Sequence, residues 1–468
     1  MTCTYIKKEY FLILILALFS CEQDEYIALD DDINASKENF LKAQPDLIGL
    51  DKNLMDDLES VSDGIGAPYF TLPESDDYSN IPQDPLNQIT PEKVALGKLL
   101  FHETSTGGNP TTGSNLFTYS CASCHHAAAG FSSGLRQGIG EGGVGFGISG
   151  EGRSFDTSIA VADTDIQPIR SPTILNVAYQ DVMLWNGQFG GTGTNVGTEA
   201  NWENIPENFL GFEGVEIQAI KGQDVHRLLI DESFITTFDY KDMFDSAFPN
   251  DPETERYTKR NAALAIAAYE RTVLPSQSPW QRWLKGEYDI LTKEEKRGAM
   301  VFFGKGRCYE CHTGPALNDK NFYAFGMGDF DNSSDSFVLD AAGFDAVKKG
   351  RGGFTQNAED NYKFKTPTLY NLVDNGFYGH GGTFTSVKEV IEYKNDGTVQ
   401  SAEVPSENLA PQFVEDLKLT KNEIDNVTLF IETSLRDPNL TRYIPDVVNS
   451  GNCFPNNDPM TKIDLSCD

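Results

Sequence analysis

Two pentapeptides constrain this chain more than any other feature: Cys121-Ala122-Ser123-Cys124-His125 and Cys308-Tyr309-Glu310-Cys311-His312. At this spacing two thiols can bond covalently to the vinyl groups of a haem while the adjacent imidazole takes its iron. The composition gives about 0.002 chance occurrences of the pattern, so two copies are a signal. A zinc ribbon also pairs Cys-x-x-Cys motifs, but with about 15–20 residues between them. Here 183 residues separate Cys124 from Cys308. A thioredoxin-like dithiol explains neither the repetition nor the trailing histidines. The expected cofactors are therefore two covalently bound c-type haems.

The other cysteines speak of location. Lys7 and Lys8 precede an apolar run from Tyr10 to Phe19, too short to cross a bilayer as a helix, so residues 1–20 read as an export signal. The run ends Leu18-Phe19-Ser20-Cys21, which resembles a lipoprotein processing site with Cys21 as the lipidated residue. The expectation is a periplasmic or outer-membrane lipoprotein that meets the membrane through its anchor only; a soluble secretory signal is the alternative. Cys453 and Cys467 lie in a Pro/Asn/Asp-rich tail and are expected to pair in an oxidising compartment.

With 37 basic against 70 acidic residues and a net charge of −33, the chain lacks the basic stripes that phosphate binding needs, which excludes nucleic acid. The same charge would attract a small basic redox protein. A length of 468 residues allows two or three domains, and 42 Gly with 22 Pro imply long ordered loops.

An internal repeat sets the organisation. Ser171-Pro172-Thr173-Ile174-Leu175-Asn176 followed by Trp185-Asn186-Gly187 is echoed at the same spacing by Thr366-Pro367-Thr368-Leu369-Tyr370-Asn371 and His380-Gly381-Gly382. Upstream, Thr90-Pro91-Glu92-Lys93 and Thr292-Lys293-Glu294-Glu295 each read as the capped start of a helix entering a Cys-x-x-Cys-His motif. The predicted fold is mainly α, with two cytochrome c-like haem domains and long loops. Residues 21–85 form a tether and an extension packed on the first domain, 86–278 the first domain, 279–445 the second, and 446–468 a tail. Helices over Lys259–Thr272 and Lys421–Leu435 carry apolar residues at helical spacing and are read as core. Gly138–Gly152 is too glycine-rich for a regular element and follows the first motif directly.

From about Thr90 to Leu435 the chain resembles the bacterial di-haem cytochrome c peroxidases and the MauG-like tryptophan-modifying enzymes related to them. The resemblance rests on Leu96–Phe101, Cys121–His125, Ile169–Thr173, Leu184–Gly187, Gly214–Ile217, Cys308–His312 and Phe364–Thr368. It implies a peroxide-binding haem on Cys121, Cys124 and His125, and an electron-transfer haem on Cys308, Cys311 and His312. It implies Glu216 as acid–base catalyst, although unaided that residue reads as a solvated loop carboxylate. Trp185 would lie between the haems, where unaided it reads as core, and Arg170 would sit near a propionate or the peroxide. A calcium ion would take Ser171, Asn375 and Phe377, with Ser171 standing where the family has asparagine.

Two departures follow from the same alignment. Glu141 stands where the classical peroxidases place a histidine that blocks the resting iron, so the first iron is expected to be five-coordinate as made. The sixth ligand of the second haem falls on Lys394, with Tyr393 one residue away and Met327 as a further candidate; Lys394 and Tyr393 read equally as exposed helix residues. The leading expectation is reduction of hydrogen peroxide to water with electrons from a small cytochrome or other redox protein. The alternatives are oxidation of a protein side chain or organic substrate by peroxide-derived high-valent iron, and a non-enzymatic electron carrier.

Overall fold

The computed structural model describes residues 49–332 and 341–467; the signal, Cys21 and the tether to residue 48 lie outside them. The described chain is mainly helical, with two short two-stranded ladders. Its principal helices are α1 (Leu50–Ser60), α2 (Pro91–His102), α3 (Gly214–Val225), α4 (Lys259–Arg271), α5 (Pro279–Leu284), α6 (Lys293–Phe303), α7 (Val387–Asp396), α8 (Lys421–Leu429) and α9 (Pro459–Leu465). Among the described residues no helix is long and apolar enough to cross a membrane.

Both helices that enter the motifs start where the capping residues predict. Thr90 accepts from the Lys93 amide at 3.2 Å with Pro91 behind it, and Thr292 forms a reciprocal capping box with Glu295. Each then crosses a later helix at backbone distance. A Cβ on Gly97 of α2 would lie 1.9 Å from the Ala265 carbonyl of α4, and one on Gly298 of α6 would lie 2.0 Å from the Asn426 carbonyl of α8. Only glycine permits either crossing.

The repeat extends to the connecting segments. Asn176 and Asn371 both adopt left-handed backbone (φ 62° and 54°), which asparagine tolerates. Their amides bond to Val273 O at 3.1 Å and Leu435 O at 3.2 Å, just beyond the second helix of each crossing. The two copies face one another, with Asn176 donating to Thr368 at 3.1 Å and the Arg170 amide to His380 O at 3.0 Å. One continuous apolar core runs through both halves, including the stacked pair Trp280 and Trp283 with ring centroids 5.3 Å apart.

Two expectations change. The extension does not pack on the first half alone: Asp51 of α1 pairs with Lys296 of α6 and accepts from Trp283 of α5, because those two donors are buried and need an acceptor. The glycine-rich segment does contain a regular piece, Gly143–Val144, paired antiparallel with Ser154–Phe155. Beyond it the backbone is held by side chains. Arg153 donates to the Ile139 and Gly140 carbonyls at 2.7 Å, while Gly145 and Phe146 amides donate to Asp458 and Asp464 of the tail.

Cys453 and Cys467 form the expected disulfide. It closes the tail around α9, and the Pro455 carbonyl accepts from Ser120 and Ser123 beside the first motif. Replacing both cysteines by serine is expected to destabilise the tail by up to about 3 kcal/mol, the figure for a loop of some 15 residues. Hydrogen exchange at Gly145, Phe146 and Gly147 should accelerate; unchanged protection would show that the tail does not secure the glycine-rich segment.

Candidate functional site

The first motif turns through a short 3-10 element, Cys121–Ser123. Its cysteines form no disulfide, and burial pushes both thiols up to about 12. Burial likewise holds the His125 imidazole down to about 4, so it is neutral, the form that binds iron, and its Nδ1 has no hydrogen-bond partner. Among the described residues no group of three or more His, Cys, Asp or Glu converges as a metal cage.

The second motif opens on a cavity of about 270 Å³ lined by Cys308, Cys311 and His312. His312 Nδ1 lies 3.0 Å from Leu317 O; a carbonyl only accepts, so the proton sits on Nδ1 and Nε2 is free to ligate. In a chain of net charge −33, the cavity wall carries Arg170, Arg307, Lys348, Lys365 and Lys394 against a single carboxylate, Asp329, which already contacts His380 at 3.0 Å. Arg170 and Lys365 have no carboxylate partner. Arg170 donates to Ser132 and Asn375, and Lys365 to Gln180 and Val182 O. Burial holds Arg170 down to about 10 and Lys365 to about 7. Thiols, imidazole and uncompensated cations suit a covalently attached porphyrin with two carboxylate arms.

Trp185 is half-buried in the same wall. Its Nε1 donates to Arg170 O at 2.9 Å, and its ring stands edge-on to His380, which stacks on Phe364 with centroids 3.7 Å apart. The three sixth-ligand candidates all line the cavity, and neither Tyr393 nor Lys394 is exposed. The Tyr393 hydroxyl donates to Phe325 O at 2.6 Å and Lys394 Nζ to Gln412 O at 2.6 Å, while Met327 packs on Gly379. At the calcium positions, Arg170 donates to Asn375, Arg136 lies over the Phe377 ring and Ser171 O accepts from Ser132.

Glu216 opens α3 and is fully buried rather than solvated. Arg271, also fully buried on α4, donates to both its oxygens at 2.9 and 2.7 Å, and Asn87 adds a third bond at 3.2 Å. Arg271 also reaches Glu213 at 2.9 Å. This cluster lies outside the cavity of the second motif. Glu141 is fully buried too, accepting from the Thr112 amide, Asn115 and Arg227. The four histidines outside the motifs are engaged: His102 with Lys98 O, His126 with Ser133 O, His226 with Asp165 and His380 with Asp329.

Residues 91–289 match the family described as di-haem cytochrome c peroxidase. The chain is 26% identical over 371 residues to the methylamine utilization protein MauG of Methylorubrum extorquens, covering 79% of this chain and 84% of that one. It is 28% identical over 376 residues to the cytochrome-c peroxidase IdrP1 of Denitromonas iodatirespirans, covering 76% and 85%. Over residues 91–289 this chain is similar to the di-haem cytochrome c peroxidase family. It is an oxidoreductase, as relatives such as the cytochrome c551 peroxidase of Pseudomonas aeruginosa are (24% identical over 329 residues, covering 70% and 77%). The crystal structure of a MauG-like protein associated with microbial copper homeostasis shares the fold, with a TM-score of 0.54 at 22% identity, covering 80% of this chain and 98% of that one. The family implies two haems.

Arg271, Asn87, Glu270 and Lys365 escaped the sequence reading. One signal was present: Glu270-Arg271 ends a helix that is apolar on every side from Ala262 to Tyr269, and such a helix buries its charges.

Proposed function

We propose that this protein reduces hydrogen peroxide to water at the first motif, drawing electrons through the second from a small basic cytochrome or another redox protein. The observation that carries the proposal is the engagement of Glu141 and of every histidine outside the motifs, which leaves no loop imidazole to block the first iron. Bound haem supplies the iron that takes peroxide and the conjugated ring that relays electrons. The chain supplies the rest. Cys121, Cys124 and His125 hold one haem and Cys308, Cys311 and His312 the other. Glu216 accepts a proton from one peroxide oxygen and returns it to the other, held in place by Arg271 and Asn87. Arg170 and Lys365 bind carboxylate arms of the porphyrin, and Trp185 bridges the halves. The balance is one peroxide, two protons and two electrons to two waters.

Lys394 ligates the second iron in this proposal, with Tyr393 and Met327 as runners-up; a nitrogen or oxygen donor lowers the potential relative to sulfur. Ligation by Lys394 or Tyr393 in place of Met327 supports a second reading, oxidation of a protein side chain or organic substrate. Export on a lipid anchor at Cys21, the domain limits at 278 and 445, and a calcium ion at Ser171, Asn375 and Phe377 belong to the same proposal, the last opposed by the positive charges of Arg170 and Arg136.

Resting spectra should show one high-spin and one low-spin haem, and reduced cytochrome should be consumed steadily with peroxide. Two low-spin haems would refute an open first iron. Slow cytochrome oxidation with covalent modification of a co-purified protein would favour the second reading.

A further inference from the structure

Trp185 sits on a strained turn. Leu184, directly before it, is held at φ 70°, a left-handed conformation that leucine avoids. Gly187 follows at φ 65°, where a Cβ would lie 2.5 Å from the Phe322 ring. The turn closes with the Gly187 amide on Leu184 O at 3.2 Å. A strained turn of this kind persists only where its surroundings over-determine it, and such turns gather at functional sites.

The restraint comes from the second half. The Lys365 amide donates to Trp185 O at 2.8 Å. Arg351, buried in the short helix Arg351–Thr355, takes the next two carbonyls. Its Nη1 donates to Asn186 O at 3.3 Å, to Gly187 O at 3.0 Å and to Asn195 Oδ1 at 2.8 Å, while Nη2 donates to Thr194 O at 3.2 Å. All four acceptors are neutral, and among the described residues no carboxylate pairs with this guanidinium. Aromatic faces stand in for one: the guanidinium carbon lies 4.7 Å from the Phe322 ring centroid and 5.1 Å from that of Phe354. Phe322 pairs with Lys365 in the antiparallel ladder, so the guanidinium and the Lys365 amide are parts of one assembly. A buried cation without a counter-ion costs more than a neutral side chain would, so packing alone does not account for Arg351. What a guanidinium adds is a rigid planar fork that fixes several carbonyls at once.

We infer that Arg351 is a positioning residue for Trp185: reaching across from the second half, it holds the turn of residues 184–187 so that the indole keeps its place against Arg170 O and His380, and it thereby governs electron passage between the two motifs. The physical route is short. Without the fork, Asn186 and Gly187 are released, Leu184 relaxes out of its left-handed conformation, and the Cα–Cβ bond of Trp185 turns with it. The indole Nε1 then leaves its 2.9 Å bond to Arg170 O. The inference rests on the proposed role of Trp185 as the bridge.

The test uses the purified di-haem protein with Arg351→Met, Arg351→Lys and Trp185→Phe. Ultraviolet resonance Raman gives a readout other than turnover. The Trp185 indole N–H band, identified by its absence from Trp185→Phe, should shift toward a weaker hydrogen bond in Arg351→Met. In anaerobic stopped-flow reduction the first haem should follow the second about tenfold more slowly than in the wild type, since misplacing a positioned group by about 1 Å can cost as much as 10²-fold. Both haem potentials should stay at their wild-type values. Lysine keeps the charge but has no fork, so Arg351→Lys should behave as Arg351→Met does. An unshifted band with an unchanged lag between the haems would overturn the inference even in a less stable protein, because Arg351 would then be structural only. Full rescue by lysine would also sink it, since charge alone would suffice. Trp185→Phe separates the two ideas. An unchanged lag there removes Trp185 as the bridge and leaves the indole band to decide whether Arg351 positions it; a slowed Trp185→Phe beside a wild-type-like Arg351→Met removes only the positioning. Should Arg351→Met fail to mature, Arg351→Lys carries the same comparisons.

Discussion

Glu216→Gln is expected to keep both haems and to lower peroxide turnover by about 10²- to 10⁴-fold, the contribution of one positioned acid–base group. The amide is nearly isosteric and can still accept from Arg271 and Asn87, so packing at the start of α3 should survive. What is lost is the ability to take up and release a proton. Haem-stained gels and absorbance spectra check retention, and stopped-flow mixing with peroxide checks the rate. A variant that turns over within threefold of the wild type would mean that the carboxylate is only structural. That alternative has substance here, because a charge wholly enclosed between two helices and held by three donors is also what a structural ion pair looks like.

Arg271→Met is expected to destabilise the protein by about 3–5 kcal/mol, the cost of leaving a buried carboxylate without its partner. Methionine fills much of the volume, so the loss measures charge rather than a cavity. The side chains of both Arg271 and Glu216 are fully buried, which removes the solvent screening that makes surface pairs nearly worthless. Chemical denaturation of the haem-loaded protein should show the loss, and the Glu216→Gln/Arg271→Met double variant should recover part of it. A loss below about 1 kcal/mol would indicate that water reaches the pair and that the site is less enclosed than it is here.

How far the chain could be read varied with the kind of signal. The caps at Thr90 and Thr292 and the helices that enter the motifs were legible because a cap is settled within four residues. The tail disulfide was legible because two cysteines remained in a chain whose first residues read as an export signal. Glu216 was misjudged when read without the family resemblance. Its place at a helix start suggests solvent, and only the packing of α3 on α4 encloses it. Lys394 was open to reading as an exposed helix residue, yet it faces the cavity of the second motif. The two-residue strand at Gly143 was missed because its register depends on Ser154 and Phe155 across a loop with no hydrophobic alternation.

The amino-acid order alone determined the two Cys-x-x-Cys-His motifs, the capped helices and the repeated segments, since each is written in spacings of a few residues and governed by local sterics and hydrogen bonding. Only the tertiary structure decided which charges meet. Glu216 and Arg271 are 55 positions apart, Glu141 and Arg227 are 86 apart, and Asn87 reaches Glu216 across 129. Such pairings arise where helix crossings close long loops, and their strength comes from the exclusion of water at the crossing, a property of the packed molecule that no local stretch of sequence contains.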